Sequence, residues 1–248
     1  MAGKTSKSNC SFSFSTILYC FVYTFHQNGT TSEIPESSSL VRHSTPPPIY
    51  LILTTDNSIC DIQEKFRPAI HEYPKVISTA QKLIRACTTL RIPIYATTQS
   101  SSRLGPICSE LTAATPNNFL FTIDKTAFSM LVPDLQFAMQ SNSPNNEPYQ
   151  VAIVGIETHI CVTQTALDLL SEGHRVYVLM DGVSSCNAGE RAVALERLRA
   201  EGAIVTSSEG WLYECMGDAG IPEFKTIAGL VKETKESTKD AVQTLCKM

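Results

Sequence analysis

The chain has 248 residues, of which 43% are apolar and 18% are charged, and this is the composition of a globular protein rather than a disordered one. Its formal net charge of −4 provides no basic surface, so we expect neither nucleic acid nor an anionic membrane as a partner. The nine cysteines form no C-x-x-C pair, which predicts neither a disulfide framework nor a zinc site and favours a reducing compartment.

Residues 1–47 differ from the rest of the chain, because they are rich in Ser and Thr and contain an apolar, aromatic run at 12–25. That run is short for a membrane helix, and no clear small-x-small cleavage site follows it. We therefore expect a poorly ordered N-terminal extension, or a wrongly assigned gene start, and no stable association with a membrane. The cytoplasm is the expected location, with the mitochondrion and secretion as minor alternatives.

Strand and helix signals alternate over residues 48–235, which we predict to be one domain, followed by a charged C-terminal tail at 236–248. Short apolar runs predict six strands, at Ile49–Thr54, Ile92–Thr98, Phe119–Ile123, Val151–Gly155, Arg175–Met180 and Ala203–Thr206. Apolar residues at helical spacing predict helices, at Pro74–Leu90, His159–Gly173, Ala188–Ala200 and Pro222–Glu233. The predicted fold class is therefore α/β, a three-layer α/β/α sandwich around a mostly parallel six-stranded sheet.

Cys161 has the position expected of a nucleophile. It falls in the first turn of a predicted helix, directly after the buried strand Val151–Gly155. Helix N-termini carry partial positive charge and unpaired N–H groups, and both favour a thiolate. Open α/β sheets also place their ligands at the carboxyl ends of strands. The alternative interpretation is a buried, unreactive cysteine.

The segment Gly155–Asp168, GIETHICVTQTALD, resembles the isochorismatase-like cysteine hydrolases, and in particular the small isochorismatase-domain-containing proteins. Cys60–Pro68 (CDIQEKFRP) and Asp124–Met130 (DKTAFSM) resemble two further motifs of that family, in the family's order. The resemblance implies the same α/β fold, assembly as a homo-oligomer, and a catalytic triad of a base, a cation and a nucleophile, carried by Asp61, Lys125 and Cys161.

Two members of this triad have ordinary alternative roles. Asp61 alone would be a helix cap or a turn residue, and Lys125 alone would be a surface lysine. In the family an apolar strand runs directly into the aspartate, whereas here the polar segment Thr54–Cys60 intervenes. Beside the thiol, the Lys125 ammonium would favour the thiolate and could bind a substrate carbonyl or carboxylate.

The turn before Cys161 is the predicted oxyanion site, because N–H groups at a helix start point toward the same space as the thiol. The resemblance implies a cis peptide bond between Ile156 and Glu157. We assign the oxyanion donors to the N–H of Cys161 and that of either Ile160 or Glu157. A Cys–His dyad with His159 is an alternative, but residues two apart at a helix start do not face each other.

Gln63, Phe66 and Phe128 are candidates for lining the substrate pocket, and each could equally be a core residue. The nicotinamidase branch of the superfamily holds a metal through an Asp-x-His motif, whereas the corresponding segment Ala96–Leu104 contains neither Asp nor His. We therefore expect no metal and no cofactor.

Three functions remain open from the sequence. The first is a metal-independent cysteine hydrolase that acts on a small amide, carbamoyl or related substrate through the Asp-Lys-Cys triad. The second is hydrolysis of the isochorismate vinyl ether to pyruvate, with Asp61 as the acid and Cys161 uninvolved. The third is a non-catalytic oligomeric protein with a binding or regulatory role.

Overall fold

A computed structural model describes residues 49–54, 62–114, 119–141 and 148–247. Its strands are β1 (Ile49–Thr54), β2 (Ile94–Gln99), β3 (Phe119–Lys125), β4 (Gln150–Ile156), β5 (Arg175–Ser184) and β6 (Ile204–Thr206). Its helices are α1 (Tyr73–Leu90), α2 (Ser101–Leu104), α3 (Ser109–Ala114), α4 (Pro133–Ser141), α5 (Thr163–Ser171), α6 (Ala188–Ala200), α7 (Ser208–Met216), α8 (Phe224–Glu233) and α9 (Lys235–Leu245). The N-terminal residues 1–47 and the predicted base Asp61 lie outside the described residues.

The strands form one parallel sheet in the order β3-β2-β1-β4-β5-β6. The chain moves outward from β1 to β3 and then continues on the other side of β1 with β4. The strand order therefore reverses between β1 and β4, where Thr54 pairs with Gly155 at the carboxyl ends. Open α/β sheets bind their ligands in the crevice beyond such a reversal.

Side chains of β4 alternate between two hydrophobic clusters, one on each face of the sheet. Ala152, Val154 and Ile156 join the first cluster, with apolar residues of α1, α7, α8 and α9. Val151 and Ile153 join the second cluster, with apolar residues of α4, α5 and α6. This alternation follows from the two-residue period of a strand, and the helices on both faces confirm the predicted three-layer α/β class.

Strand β5 extends to Ser184, four residues beyond its predicted end at Met180. Two of the added residues have polar side chains, Asp181 and Ser184, and both side chains form hydrogen bonds with distant parts of the chain. The carboxylate of Asp181 accepts the N–H of Ser208 at 2.7 Å, and the hydroxyl of Ser184 donates to the carbonyl of His71 at 2.5 Å. Buried polar groups in a strand are stable when they are paired in this way.

Helix α9 occupies Lys235–Leu245, which is most of the segment that we predict as a charged C-terminal tail at 236–248. Ala241 and Leu245 are fully buried, and the helix packs on α1 and β5. The buried guanidinium of Arg191 donates to the carbonyl of Leu245 at 2.6 Å and so fixes the last turn. The charges occupy only the outer face of this helix. None of the helices in the described ranges is long and apolar enough to cross a bilayer.

Candidate active site

Cys161 lies at the carboxyl end of β4, beside the point where the strand order reverses. The peptide bond from Ile156 to Glu157 is cis, and a single π-helical turn, Thr158–Val162, then leads into α5. Cys161 is in this turn and is fully buried in the first hydrophobic cluster. The turn is held by Thr163, whose hydroxyl donates to the carbonyl of Thr158 at 2.6 Å. Cys161 therefore lies after a buried strand and at the start of a helix, as predicted. Its side chain has no exposed surface.

The N–H of Ile160 is engaged within the turn, because it donates to the carbonyl of Glu157 at 3.2 Å. This contact disfavours Ile160 as the second oxyanion donor. The Glu157 side chain is buried and accepts the N–H of Cys186, after β5, at 2.6 Å. This contact ties the turn before Cys161 to the segment between β5 and α6.

His159 is turned toward the same segment. Its Nδ1 lies 3.0 Å from the hydroxyl of Ser185 and 3.7 Å from the carboxylate of Glu157. These partners give His159 a packing role and offer no support for the Cys–His dyad. Burial, helped by Glu157, raises the pKa of the Cys186 thiol to about 11, so this second cysteine stays protonated at neutral pH.

Lys125 is the last residue of β3 and is only 5% exposed. Its ammonium donates to Oε1 of Gln99 at 3.1 Å and to two carbonyls of the following loop, those of Ala127 at 2.8 Å and Phe128 at 3.1 Å. Burial lowers the pKa of Lys125 to about 8, and its Coulombic interaction with Cys161 acts in the opposite direction. The structure therefore brings the cation and the cysteine, 36 positions apart in the chain, into electrostatic contact.

Gln99 is a site residue that the sequence analysis did not name. It ends β2, pairs in register with Lys125, and is buried. Its side-chain N–H donates to the carbonyl of Thr126 at 2.9 Å while its Oε1 accepts from Lys125, so it fixes both the lysine and the loop after β3. The available signal was its position: a polar residue at the carboxyl end of a buried strand.

The predicted pocket residues have three different environments. Gln63 is fully buried, and its side-chain N–H donates to the carbonyl of Gly105 at 2.5 Å, but its Oε1 has no hydrogen-bond partner among the described residues. Phe66 is buried in the first hydrophobic cluster, in agreement with its alternative role as a core residue. Phe128 is 44% exposed.

One group of side chains in the described region has ligand atoms close enough to hold a metal ion, namely Glu64, Cys108 and Glu110, within 4.8 Å of one another. Arg67 donates to both of these carboxylates at 2.8 Å. Burial also raises the pKa of the Cys108 thiol to about 11, so the thiol is protonated at neutral pH. The single guanidinium of Arg67 therefore binds both carboxylates and balances one of their two negative charges.

Comparison with known proteins gives consistent results. A family profile described as Isochorismatase domain matches residues 58–210. The secreted isochorismatase effector Isc1 of Phytophthora sojae is 43% identical over 178 residues, which cover 71% of this chain and 83% of that protein. The MAR1 ribonuclease structure from Caenorhabditis elegans has a TM-score of 0.67 at 33% identity and covers 76% of this chain and 93% of its own. The YcaC gene product of Escherichia coli, an octameric hydrolase of unknown specificity, shares the fold at 22% identity, with a TM-score of 0.61 and coverage of 79% and 91%.

Proposed function

The chain belongs to the isochorismatase domain family, and from this premise we propose that it is a cysteine hydrolase with a triad of Asp61, Lys125 and Cys161. The observation that carries the proposal is the buried ammonium of Lys125 in electrostatic contact with Cys161 at the carboxyl edge of the sheet. A buried cation with a perturbed pKa beside a thiol is typical of a catalytic site rather than of a surface lysine.

In the proposed reaction, Asp61 takes the proton of the Cys161 thiol, and the thiolate attacks the carbonyl carbon of a small amide or carbamoyl substrate. The N–H groups of Cys161 and Glu157 stabilise the tetrahedral oxyanion. Asp61 returns its proton to the leaving nitrogen as the C–N bond breaks, which leaves a thioester on Cys161. Asp61 then takes a proton from water, the hydroxide attacks the thioester, and the acid product leaves as the thiol is restored.

Lys125 contributes charge in this mechanism. Three acceptors, Oε1 of Gln99 and the carbonyls after β3, already engage its N–H groups. Its positive charge therefore stabilises the thiolate and the oxyanion through the electric field of a site from which water is excluded.

The buried Oε1 of Gln63 supports an amide or carbamoyl substrate. Gln63 follows Asp61 by two residues, and its unpaired acceptor would gain a hydrogen bond from a substrate that carries an N–H group. A vinyl ether has no such donor. Leaving a buried acceptor unpaired costs roughly 1–3 kcal/mol, which favours a substrate with an N–H group.

The test is the pH dependence of Cys161 alkylation by iodoacetamide, followed by mass spectrometry in the parent, Asp61→Asn and Lys125→Ala proteins. Fast alkylation at neutral pH, slowed by both substitutions but not by Lys225→Ala at an exposed position of α8, supports the triad. The triad is contradicted if Cys161 reacts as a thiol with an ordinary pKa of about 8.5 and neither substitution changes its alkylation rate. That second outcome would favour the non-catalytic binding role.

Isochorismate hydrolysis is the second candidate, because the Phytophthora sojae relative is named as an isochorismatase effector. The two reactions are separated by their products and by their dependence on the cysteine. Isochorismate cleavage releases pyruvate and persists in Cys161→Ser, whereas amide hydrolysis releases an amine and is lost in that variant. Ribonuclease activity, after which the Caenorhabditis elegans protein is named, is not included, since the net charge of −4 shows no overall excess of positive charge of the kind that nucleic-acid-binding proteins carry.

A homo-oligomer and a cytoplasmic location complete the proposal. The octameric Escherichia coli neighbour and the 74% exposure of Phe137 on α4 support self-association. The six cysteines within the described ranges are all free thiols, as expected in a reducing compartment. Sedimentation velocity tests the first point, and fractionation of cells that express the full chain tests the second.

A further inference from the structure

Helices α7, α8 and α9 line an open surface groove of about 760 Å³. This volume is within the usual size range of small-molecule sites. Four residues give it apolar surface: Tyr213 from α7, Ala228 and Val231 from α8, and Val242 from α9. None of the residues assigned to the Cys161 site lines this groove. The proposed hydrolysis therefore leaves it unexplained.

The charges along the groove are predominantly positive. Lys232, Lys235 and Lys239 line it, and none of these ammonium groups has an ion-pair or hydrogen-bond partner among the residues that the structure describes. The acidic lining residue is Glu209. Two neighbouring acids on α8 and α9 are engaged elsewhere, since Glu233 pairs with Arg85 at 2.7 Å and Asp240 with Lys75 at 3.1 Å. The groove thus has an excess of uncompensated positive charge.

A buried hydroxyl group in the groove also lacks an acceptor. Thr238 lines the groove and is nine-tenths buried, and its Oγ1 accepts from the ammonium of Lys82 at 3.0 Å. Because Lys82 supplies that proton, the O–H of Thr238 is left as a donor, and it donates to no group in the described region. The Ser207 hydroxyl is similar, since it accepts from the N–H of Gly210 at 3.1 Å. Donors and cations therefore surround an apolar surface.

We propose that this groove binds a small amphipathic anion, a carboxylate attached to one aryl group. Its ring would pack on Tyr213, Val231 and Val242, and its carboxylate would accept from Thr238 and face the three lysines. Charge complementarity and the buried donor favour an anion over a neutral ligand. Surfaces that recognise anionic lipid usually need about 4–8 clustered basic residues, so the three lysines favour a small anion over a membrane.

The experiment is a calorimetric titration of 2-naphthoate into the full chain at low salt, with 2-naphthalenemethanol as the uncharged counterpart. We expect the alcohol to bind at least about tenfold more weakly than the carboxylate, because it lacks the charge that the lysines recognise. The variant Lys232→Gln/Lys235→Gln/Lys239→Gln should also weaken naphthoate binding at least about tenfold. All three lysines are exposed, so the variant keeps the fold. The matched control is Lys225→Gln, an exposed lysine of α8 outside the groove, and it should leave the affinity unchanged.

A second variant, Thr238→Val, distinguishes the contribution of the Thr238 hydroxyl to anion binding from that of the three lysine charges. It should weaken naphthoate binding and leave the alcohol unaffected. The proposal is overturned if naphthoate does not bind, or if the triple variant binds it as tightly as the parent, since the anion would then occupy another site. It is also overturned if the triple variant loses only co-sedimentation with phosphatidylglycerol vesicles or self-association, which would assign the lysines to a membrane or a subunit contact. These outcomes do not depend on whether Cys161 is catalytic.

Discussion

Two lysines are buried in the part of the chain that the structure describes, Lys82 and Lys125, and their surroundings differ. Burial lowers the pKa of both. Lys82 donates to the hydroxyl of Ser208 at 2.7 Å, and that hydroxyl in turn donates to the buried carboxylate of Asp181. Within the described residues, Lys125 donates to an amide oxygen and two carbonyls, and its charge acts on Cys161.

We infer that the charge of Lys82 is structural and that the charge of Lys125 is catalytic. The Asp181 carboxylate, reached through Ser208, balances the charge of Lys82 and links α1 to β5 and α7. Lys125 is held by an amide oxygen and two carbonyls, and in the proposed mechanism its field acts on the Cys161 thiolate and on the oxyanion. A buried lysine therefore indicates catalysis when a reactive group lies within its field.

The largest expected effect is on hydrolysis. In the proposed mechanism, Lys125→Ala removes the charge that stabilises the thiolate and the oxyanion, so kcat/KM for an amide substrate should fall by about 10³-fold, as when one strong electrostatic contact to an oxyanion is lost. Lys82→Met should leave kcat/KM within about threefold of the parent, because its charge is committed to Asp181. Steady-state kinetics on both variants measures the contrast. Equal losses in the two would mean that the two lysines do not have separate roles.

The next largest effect is on the stability of the fold, where we expect a large loss from the substitution of Lys82, the lysine that matters less for hydrolysis. Lys82→Met leaves the carboxylate of Asp181 buried without its cation, which should lower the free energy of unfolding by about 3–5 kcal/mol. Urea denaturation measures the loss. The double variant Lys82→Met/Asp181→Asn should recover part of it, because no buried charge then remains. No recovery in the double variant would show that packing, rather than charge, causes the loss.

The residues that the sequence placed correctly are those whose position follows from local periodicity. The apolar face of α1 and the continuous apolar run of β4 predict their own burial. Lys125 was identified because its motif resembles the family's, and it lies at the carboxyl end of a predicted strand, as does Cys161. The position after a predicted strand places both residues at the same edge of the sheet, whereas only the family resemblance distinguished Lys125 from a surface lysine.

The features that the sequence analysis missed depend on contacts between distant segments. Nothing local distinguishes Gln99 from an exposed glutamine, because its role comes from pairing with Lys125 across two strands. The sequence did not show the full extent of helix α9, because its buried residues Thr238, Ala241 and Leu245 are few and weakly apolar as a set. Its stability depends on α1, β5 and the buried Arg191, which no local pattern shows.

The smallest expected effect is a pH dependence of the free energy of unfolding, which depends on the lowered pKa of Lys125. The pKa of Lys125 is about 8 in the folded chain against an ordinary value of 10.5, so between these values the unfolded state binds more protons than the folded state. The contribution of Lys125 to the free energy of unfolding therefore rises with pH between about 8 and 10.5. Below about pH 8 the full free-energy cost of burying the ammonium is present. Relative to Lys125→Met, the parent should gain up to about 3 kcal/mol between pH 7 and pH 10.5, since each pKa unit corresponds to about 1.4 kcal/mol. Urea unfolding of both proteins over this range measures the gain, and the thiols and tyrosines that titrate in both cancel in the difference. A difference that stays constant with pH would show that Lys125 is not buried as a cation, which would also remove the basis for its contrast with Lys82.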